Sequence, residues 1–235
     1  MTAAQIAWYL RHIPLRDEVV VDVGANVGAI SQAFWDASAR TSRVISVEPI
    51  PENVKAIEAR IRASKATSKW SVKRCAISSR DGHLPLRPIA APWGTNSVVG
   101  AHERSIEIAC RTLEGLVPDA TVVKVDVEGH EWAFLPQAIT ALDRVKVWAL
   151  ELHAVDDHPL EGLLGLLADR GFELLSAGHR RDRPEVWIDL PIDRSWTWER
   201  VPGVASIRDG MPSAFKMIHV LAKRRDAPER LRESG

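Results

Sequence analysis

The residues best suited to chemistry are acidic, and they stand where short apolar runs end. "VVVDVGANVG" carries Asp22 just before a turn of Gly24, Ala25, Asn26, Val27 and Gly28. "VISVEP" closes on Glu48. "KVDVEGHE" sets Lys124, Asp126 and Glu128 at alternate positions, and "ALELH" does the same for Glu151 and His153. Glycines at the end of a strand take dihedrals that other residues resist and let a ligand come close to the backbone. A carboxylate about 20 residues further on suits a ribose, because it can accept hydrogen bonds from both hydroxyls. Read together, Gly24, Asn26, Gly28 and Glu48 form a nucleoside site, with Asp22 ordering the turn or meeting an amino group of the ligand. The plainer alternative is an ordinary strand-to-helix turn and a solvated glutamate ahead of Pro49.

The turn also bears on which nucleoside. A pyrophosphate needs bare backbone at the second glycine of G-x-G-x-x-G. Asn26 stands there. S-adenosylmethionine, which carries no phosphate, is therefore favoured over NAD. Asp126, at the tip of the next central strand, would face the methionine end of that donor, the alternative being a plain pair with Lys124. His153 has an ordinary pKa of about 6.5, near working pH, and is the expected base for an acceptor hydroxyl. Asp126 and Glu128 complete the expected catalytic set, and Glu131 reads as an acidic residue favouring a helix N-terminus. Asp126, Glu128, Glu151 and His153 could instead ligate magnesium, manganese or zinc. The reading taken is a site with no metal.

These groups need a scaffold that brings strand ends together. "VVVDV" (19–23), "RVISVE" (43–48), "VVKVDV" (122–127) and "VKVWALEL" (145–152) read as strands buried on both faces. Helical spacing appears at Val54, Ile57 and Ile61, at Leu135, Ile139 and Leu142, and at Leu160, Leu163, Leu164 and Leu167, the last stopped by Gly171. A helix is also expected from about Val27 to Ala37. Strand–helix–strand repetition implies an α/β fold of parallel strands with right-handed crossovers. "FELLSAG" (172–178) and "AFKMIHVLAKR" (214–224) read as two further strands, separated by a long insertion over 179–213 that holds Trp187, Trp196 and Trp198. The expected layout is an N-terminal helix or cap over 1–18, one domain over 19–224, and a frayed charged tail over 225–235.

Composition narrows the partners. The 235 residues hold 31 basic and 31 acidic side chains, so no global field recruits nucleic acid or an anionic membrane. No apolar run is long enough to span a bilayer and the start does not resemble a signal peptide, so a cytoplasmic location is expected. Two cysteines, Cys75 and Cys110, lack zinc-site spacing and read as reduced thiols. The expected partner is a small-molecule acceptor, and the sequence leaves room for a homo-oligomer.

"VVVDVGANVGAIS", "VISVEPIPENVKAIEARI", "VVKVDVEGHEWAFLPQA" and "WALELH", in this order, resemble the FkbM family of S-adenosylmethionine-dependent methyltransferases from about Val19 to His153. The resemblance implies a Rossmann-like class I methyltransferase fold, a seven-stranded mostly parallel sheet with an antiparallel last strand. It also implies O-methylation of a hydroxyl on a sugar, glycolipid or natural product. It puts Asp126 close to the donor, and it puts "PWGTNSVVG" along the cofactor crevice, with Asn96 and Ser97 able to bond the adenine or the acceptor and Trp93 able to stack. "TLEGL" departs from the family by placing Glu114 where an aspartate is usual. Trp8, Trp35, Trp132 and Trp148 fall on apolar faces and read as core, whereas the insertion tryptophans suit a sugar or another flat ring. The basic run "HRRDR" (179–183) could grip an anionic acceptor. The rival readings are an N-methyltransferase, a methyltransferase acting on protein or RNA, an NAD-dependent oxidoreductase, and a non-catalytic partner module of the same fold.

Overall fold

A computed structural model describes residues 3–86, 106–154, 158–179, 187–201, 203–204 and 215–225. The strands are β1 (Val19–Val23), β2 (Arg43–Val47), β3 (Trp70–Lys73), β4 (Ala76–Ile77), β5 (Gly82–Leu86), β6 (Ile106–Arg111), β7 (Val122–Val125), β8 (Val147–His153), β9 (Phe172–His179), β10 (Trp187–Pro191), β11 (Gly203–Val204) and β12 (Phe215–Arg224). The helices are α1 (Ala3–His12), α2 (Ala29–Ala37), α3 (Pro51–Ala63), α4 (Leu113–Leu116), α5 (Leu135–Ala141) and α6 (Leu160–Asp169), with a single 3-10 turn at Glu131–Ala133.

The main sheet runs β10-β9-β12-β8-β7-β1-β2-β3, with β11 pairing β12 off this path. Strands β3, β2, β1, β7 and β8 are parallel, and β12 inserts antiparallel between β8 and β9. This is the expected seven-stranded arrangement with its antiparallel last strand, extended at one edge by β10. That strand comes from the stretch read as a polar insertion, and it pairs antiparallel with β9. It shows no alternation because Trp187 and Ile188 are both half-buried and the rest of the strand is exposed. A smaller sheet, β4-β6-β5, stands beside the cleft. It was not expected, since β4 has two residues and β5 carries a proline.

Helices cover both faces. Trp8, Tyr9, Ile30 and Phe34 of α1 and α2 pack on Val20, Val122, Val147 and Leu221. Leu135, Ile139, Leu163 and Leu167 of α5 and α6 pack on Val21, Val123, Trp148 and Leu150. Helix α3 opens with Pro51 at its start, where a missing N–H costs nothing, and α6 gives way to Gly171 at φ 84°. Central parallel strands are buried on both faces and so read as continuous apolar runs. Asp22 and Lys124 break two of those runs, and they lie directly opposite each other in the β1–β7 register. Among the described residues no helix is long and apolar enough to cross a membrane.

Candidate active site

The chain order reverses at β1, where β2 lies on one side and β7 on the other, and ligands gather outside the carboxyl ends of strands at such a point. A cleft of about 400 Å³ opens there. It is lined by the Gly24–Val27 turn, by Glu48 and Asn53, by Lys124, Asp126 and Glu128, and by Glu151. The small sheet supplies an apolar wall at Ile77 and Leu86.

The turn at the end of β1 is shaped by its neighbours as much as by any ligand. Gly24 has φ 75°, and a Cβ there would sit 1.8 Å from the Asp126 carbonyl oxygen. Glycine thus lets the ends of β1 and β7 close together and brings Asp126 beside the turn. Gly28, at φ 81°, would put a Cβ 3.0 Å from Ile57 on α3. Asn26 takes φ 51°, a left-handed conformation that asparagine tolerates better than most residues. The turn amides are already engaged. Those of Gly24 and Ala25 donate to the Val47 carbonyl at 3.0 and 3.1 Å, and that of Gly28 donates to Ala25 at 2.8 Å. The Asn26 amide donates to Glu48 Oε2 at 2.8 Å.

Glu48 is therefore held from several sides. Its Oε1 accepts from the Ile50 amide at 3.0 Å and from Asn53 Nδ2 at 3.2 Å. Burial raises its pKa, and these three donors work against that shift. Two acceptor sites per carboxylate oxygen leave Oε2 with one to spare, and the Asn53 side chain is the donor most easily exchanged for a hydroxyl.

Asp22 does not line the cleft. It is fully buried, accepts from Ser31 Oγ at 2.6 Å and pairs with Lys124 Nζ at 3.3 Å. Ser46 Oγ donates to Ser31 Oγ at 2.7 Å and itself accepts from Trp70 Nε1 at 2.9 Å, so a buried polar ladder crosses β3, β2, β1 and β7. Asp22 is thus held by Ser31 and Lys124 beneath the cleft and does not reach it. Lys124 also reaches Asp126 Oδ2 at 3.6 Å. Burial pulls the Lys124 ammonium down, but Asp22, Asp126 and Glu151 outweigh it and leave its pKa above the ordinary value. Asp126 Oδ1 is buried with no hydrogen-bond donor. An oxygen in that state suits a cationic or N–H-bearing ligand.

At the far end of the cleft the order of the groups differs from expectation. Glu151 lines the cleft, whereas His153 lies behind it, 2% exposed. His153 Nδ1 donates to Glu131 Oε1 at 2.6 Å, and Nε2 stands 3.8 Å from both Glu128 and Glu151. Burial lowers the imidazole pKa, yet the hydrogen bond and charge of Glu131, with Glu128 and Asp126, bring it up to about 9. Carboxylates thus face both ring nitrogens of His153, an arrangement that favours the protonated imidazole. Glu151 is shifted up to about 7, chiefly by burial and then by Asp126, with His153 and Lys124 opposing. Glu131 was read as a helix-terminus residue. It does open the 3-10 turn that precedes α5, and it is also fully buried, reaching His153 on β8. Nothing in the local pattern signals that contact.

This imidazolium has a consequence for stability. The folded protein holds the His153 proton more tightly than the unfolded chain, so its stabilisation is complete below about pH 6.5 and is lost as pH climbs through about 9. Thermal melts from pH 6 to 9.5 should show a fall of roughly 2–3 kcal/mol from this group. Glu131→Gln, which removes the partner charge, should flatten that slope, and an equal slope in both proteins would contradict the assignment.

Asp126, Glu151 and His153 also place one ligand atom each within 4.8 Å of one another. Lys124 already supplies a cation to Asp126. Asn96, Trp93, Ser97 and residues 180–183 lie outside the described residues. Trp8, Trp35 and Trp148 are core, while Trp132 is half-buried and stacks on His158 at 5.4 Å. Trp187 packs on Trp8, Trp198 stands edge-on to Trp132 at 6.1 Å, and Trp196 packs against the main core. None of these insertion tryptophans lines the cleft. Gln5 and His130 are among the lining residues without a site signal in the sequence. Gln5 arrives from α1, and His130, whose pKa is lowered by burial, meets Ser78 Oγ at 3.2 Å.

With this geometry in place, the chain can be compared with known proteins. Residues 22–174 match the family model described as methyltransferase FkbM domain. Over 158 residues the chain is 30% identical to hexuronic acid methyltransferase AglP of Haloferax volcanii, covering 63% of this chain and 62% of that protein's length. Among solved structures, methyltransferase FkbM from Methylobacillus flagellatus KT superposes with TM-score 0.51 at 20% identity, over 75% of this chain and 44% of that one. TrmK of M. capricolum, solved with S-adenosyl-homocysteine, superposes with TM-score 0.52 at 6% identity, over 99% of this chain and 73% of that one. Both superpositions speak for the fold. The family match spans more than half of the residues, and the chain belongs to the methyltransferase FkbM domain family.

Proposed function

We propose that the chain is an S-adenosylmethionine-dependent O-methyltransferase acting on a hydroxyl of a sugar or glycoside. The observation that carries the choice of donor is the engagement of the turn amides. Gly24, Ala25, Asn26 and Gly28 all donate within the protein, leaving a pyrophosphate no cradle at these positions. An adenosyl group without phosphate needs none. Glu48 would hold the ribose hydroxyls, Ile77 and Leu86 would flank the flat base, and the unpartnered Asp126 oxygen would take the donor's ammonium. The sugar acceptor is supported by the relative that acts on a hexuronic acid.

When bound, S-adenosylmethionine supplies an electrophilic methyl group, so that a C–O bond forms as the S–C bond breaks, releasing S-adenosylhomocysteine and one proton. The chain's own task is to receive that proton and orient the acceptor. Glu151 faces the cleft and titrates near neutrality, so it can accept the hydroxyl proton at working pH. His153 sits behind it, and its charge opposes the upward pull of Asp126 and Glu128 on Glu151. Lys124 balances Asp22 and Asp126 from below.

The test is calorimetry with S-adenosylhomocysteine and with NAD, followed by transfer of labelled methyl to a panel of neutral, amino and acidic glycosides. Binding of the first and none of the second is expected. Glu48→Ala should weaken S-adenosylhomocysteine by about 10- to 100-fold, the worth of one or two hydrogen bonds to a charged group. Tight NAD binding, or a Glu48→Ala protein with undiminished affinity, would overturn the reading.

A further inference from the structure

Helix α1 lies outside the segment matched to the family, yet it reaches the cleft. Gln5 Nε2 donates to Glu151 Oε2 at 2.9 Å. Three residues further along, Trp8 Nε1 donates to Asp189 Oδ1 at 2.9 Å, and Arg11 and His12 reach the same oxygen at 3.1 and 2.8 Å. Asp189 belongs to β10, the strand added at the edge of the sheet. Helix α1 therefore runs as a strap, clasped at one end by an edge strand and touching the Glu151 carboxylate at the other.

We propose that Gln5 is a positioning residue for the Glu151 carboxylate, and that Asp189 holds it in place by clasping α1. This rests on the reading of Glu151 as the proton acceptor. A neutral amide is suited to the task, because it fixes one carboxylate oxygen without adding a full positive charge that would weaken the base. Glu151 is otherwise surrounded by groups that attract or repel it. Tyr9 approaches from α1, Lys124 and Asp126 from β7 and its end, and Glu128 from the following turn. His153 stands on its own strand, and His219 Nδ1 on β12 lies 3.5 Å from Oε2. A donor from α1 selects one rotamer among these neighbours. It also stabilises the ionised form, so removing it raises the carboxylate's affinity for a proton.

The experiment follows Glu151 directly by carbon NMR titration of protein labelled at the glutamate side-chain carboxyl, with Glu151→Gln used to assign the resonance. Gln5→Met keeps the volume and removes the donor, and it should move the Glu151 midpoint up by about one unit. Asp189→Ala acts far from the cleft and should move it the same way, by roughly half as much. A loss of packing alone would lower the melting temperature without moving the midpoint. An unmoved midpoint in folded Gln5→Met overturns the positioning role. If Gln5→Met does not fold, Asp189→Ala carries the test, and an unmoved midpoint there overturns the clasp. The reading of Glu151 as proton acceptor fails separately, through full methyl transfer by Glu151→Gln, which leaves the titration results untouched.

Discussion

Glu151→Gln should lose methyl transfer by about 10²- to 10⁴-fold, the usual worth of a positioned general base. S-adenosylhomocysteine affinity should stay within about threefold, because the substitution keeps shape and removes only the proton-accepting oxygen. The wild-type rate should rise with pH through about 7, where Glu151 ionises, and this limb should vanish in the variant. His153→Gln makes the contrast. It removes a cation that favours the ionised carboxylate, so the limb should move to higher pH with a smaller loss of maximal rate. Steady-state rates across pH on the best glycoside of the panel decide between them. Near-normal activity in Glu151→Gln alongside a dead His153→Gln would return the base to His153.

Lys124→Met should be the most destabilising single change in the cleft. Lys124 is 1% exposed and pairs with Asp22, itself fully buried, and with Asp126. Removing one partner of a buried pair costs about 3–5 kcal/mol, because the other charge is left without compensation. For a chain of this size that is a fall in Tm of roughly 6–20 °C. Asp22→Asn in the same protein should restore more than half of the loss, since the amide keeps an oxygen for the Ser31 hydroxyl and removes the orphaned charge. Urea melts of the four proteins of this cycle measure the coupling. Simple additivity of the two substitutions would mean that the pair carries no mutual stabilisation.

Much of the frame was legible from periodicity and punctuation. β1, β2, β7 and β8 are largely runs of β-branched and aliphatic residues buried on both faces, α3 shows helical spacing after a proline start, and α6 shows it between Pro159 and Gly171. These signals are local, so a single strand or helix carries its own label. The placement of Glu48 in the cleft was legible for the same reason, since a residue at the carboxyl end of a parallel strand beside the glycine turn has few other places to go. The smaller sheet and β10 were not legible, because β4 and β5 are short edge strands and β10 is largely exposed.

The roles of the charged groups were settled by contacts between distant parts of the chain. Alternation put Glu151 and His153 on one strand but could not say which would face the cleft, or that Glu131 would lock the imidazole in its charged form. Gln5 meets Glu151 across 146 positions, and Asp22 meets Lys124 only because β1 and β7 pair in that register. The chain's own order of residues determined a doubly wound α/β frame with a glycine turn and an acidic strand end. Tertiary packing decided which carboxylate is exposed to a ligand, which is neutralised beneath it, and which residue holds the proton, because burial and charge pairing depend on neighbours that the linear spacing does not reveal.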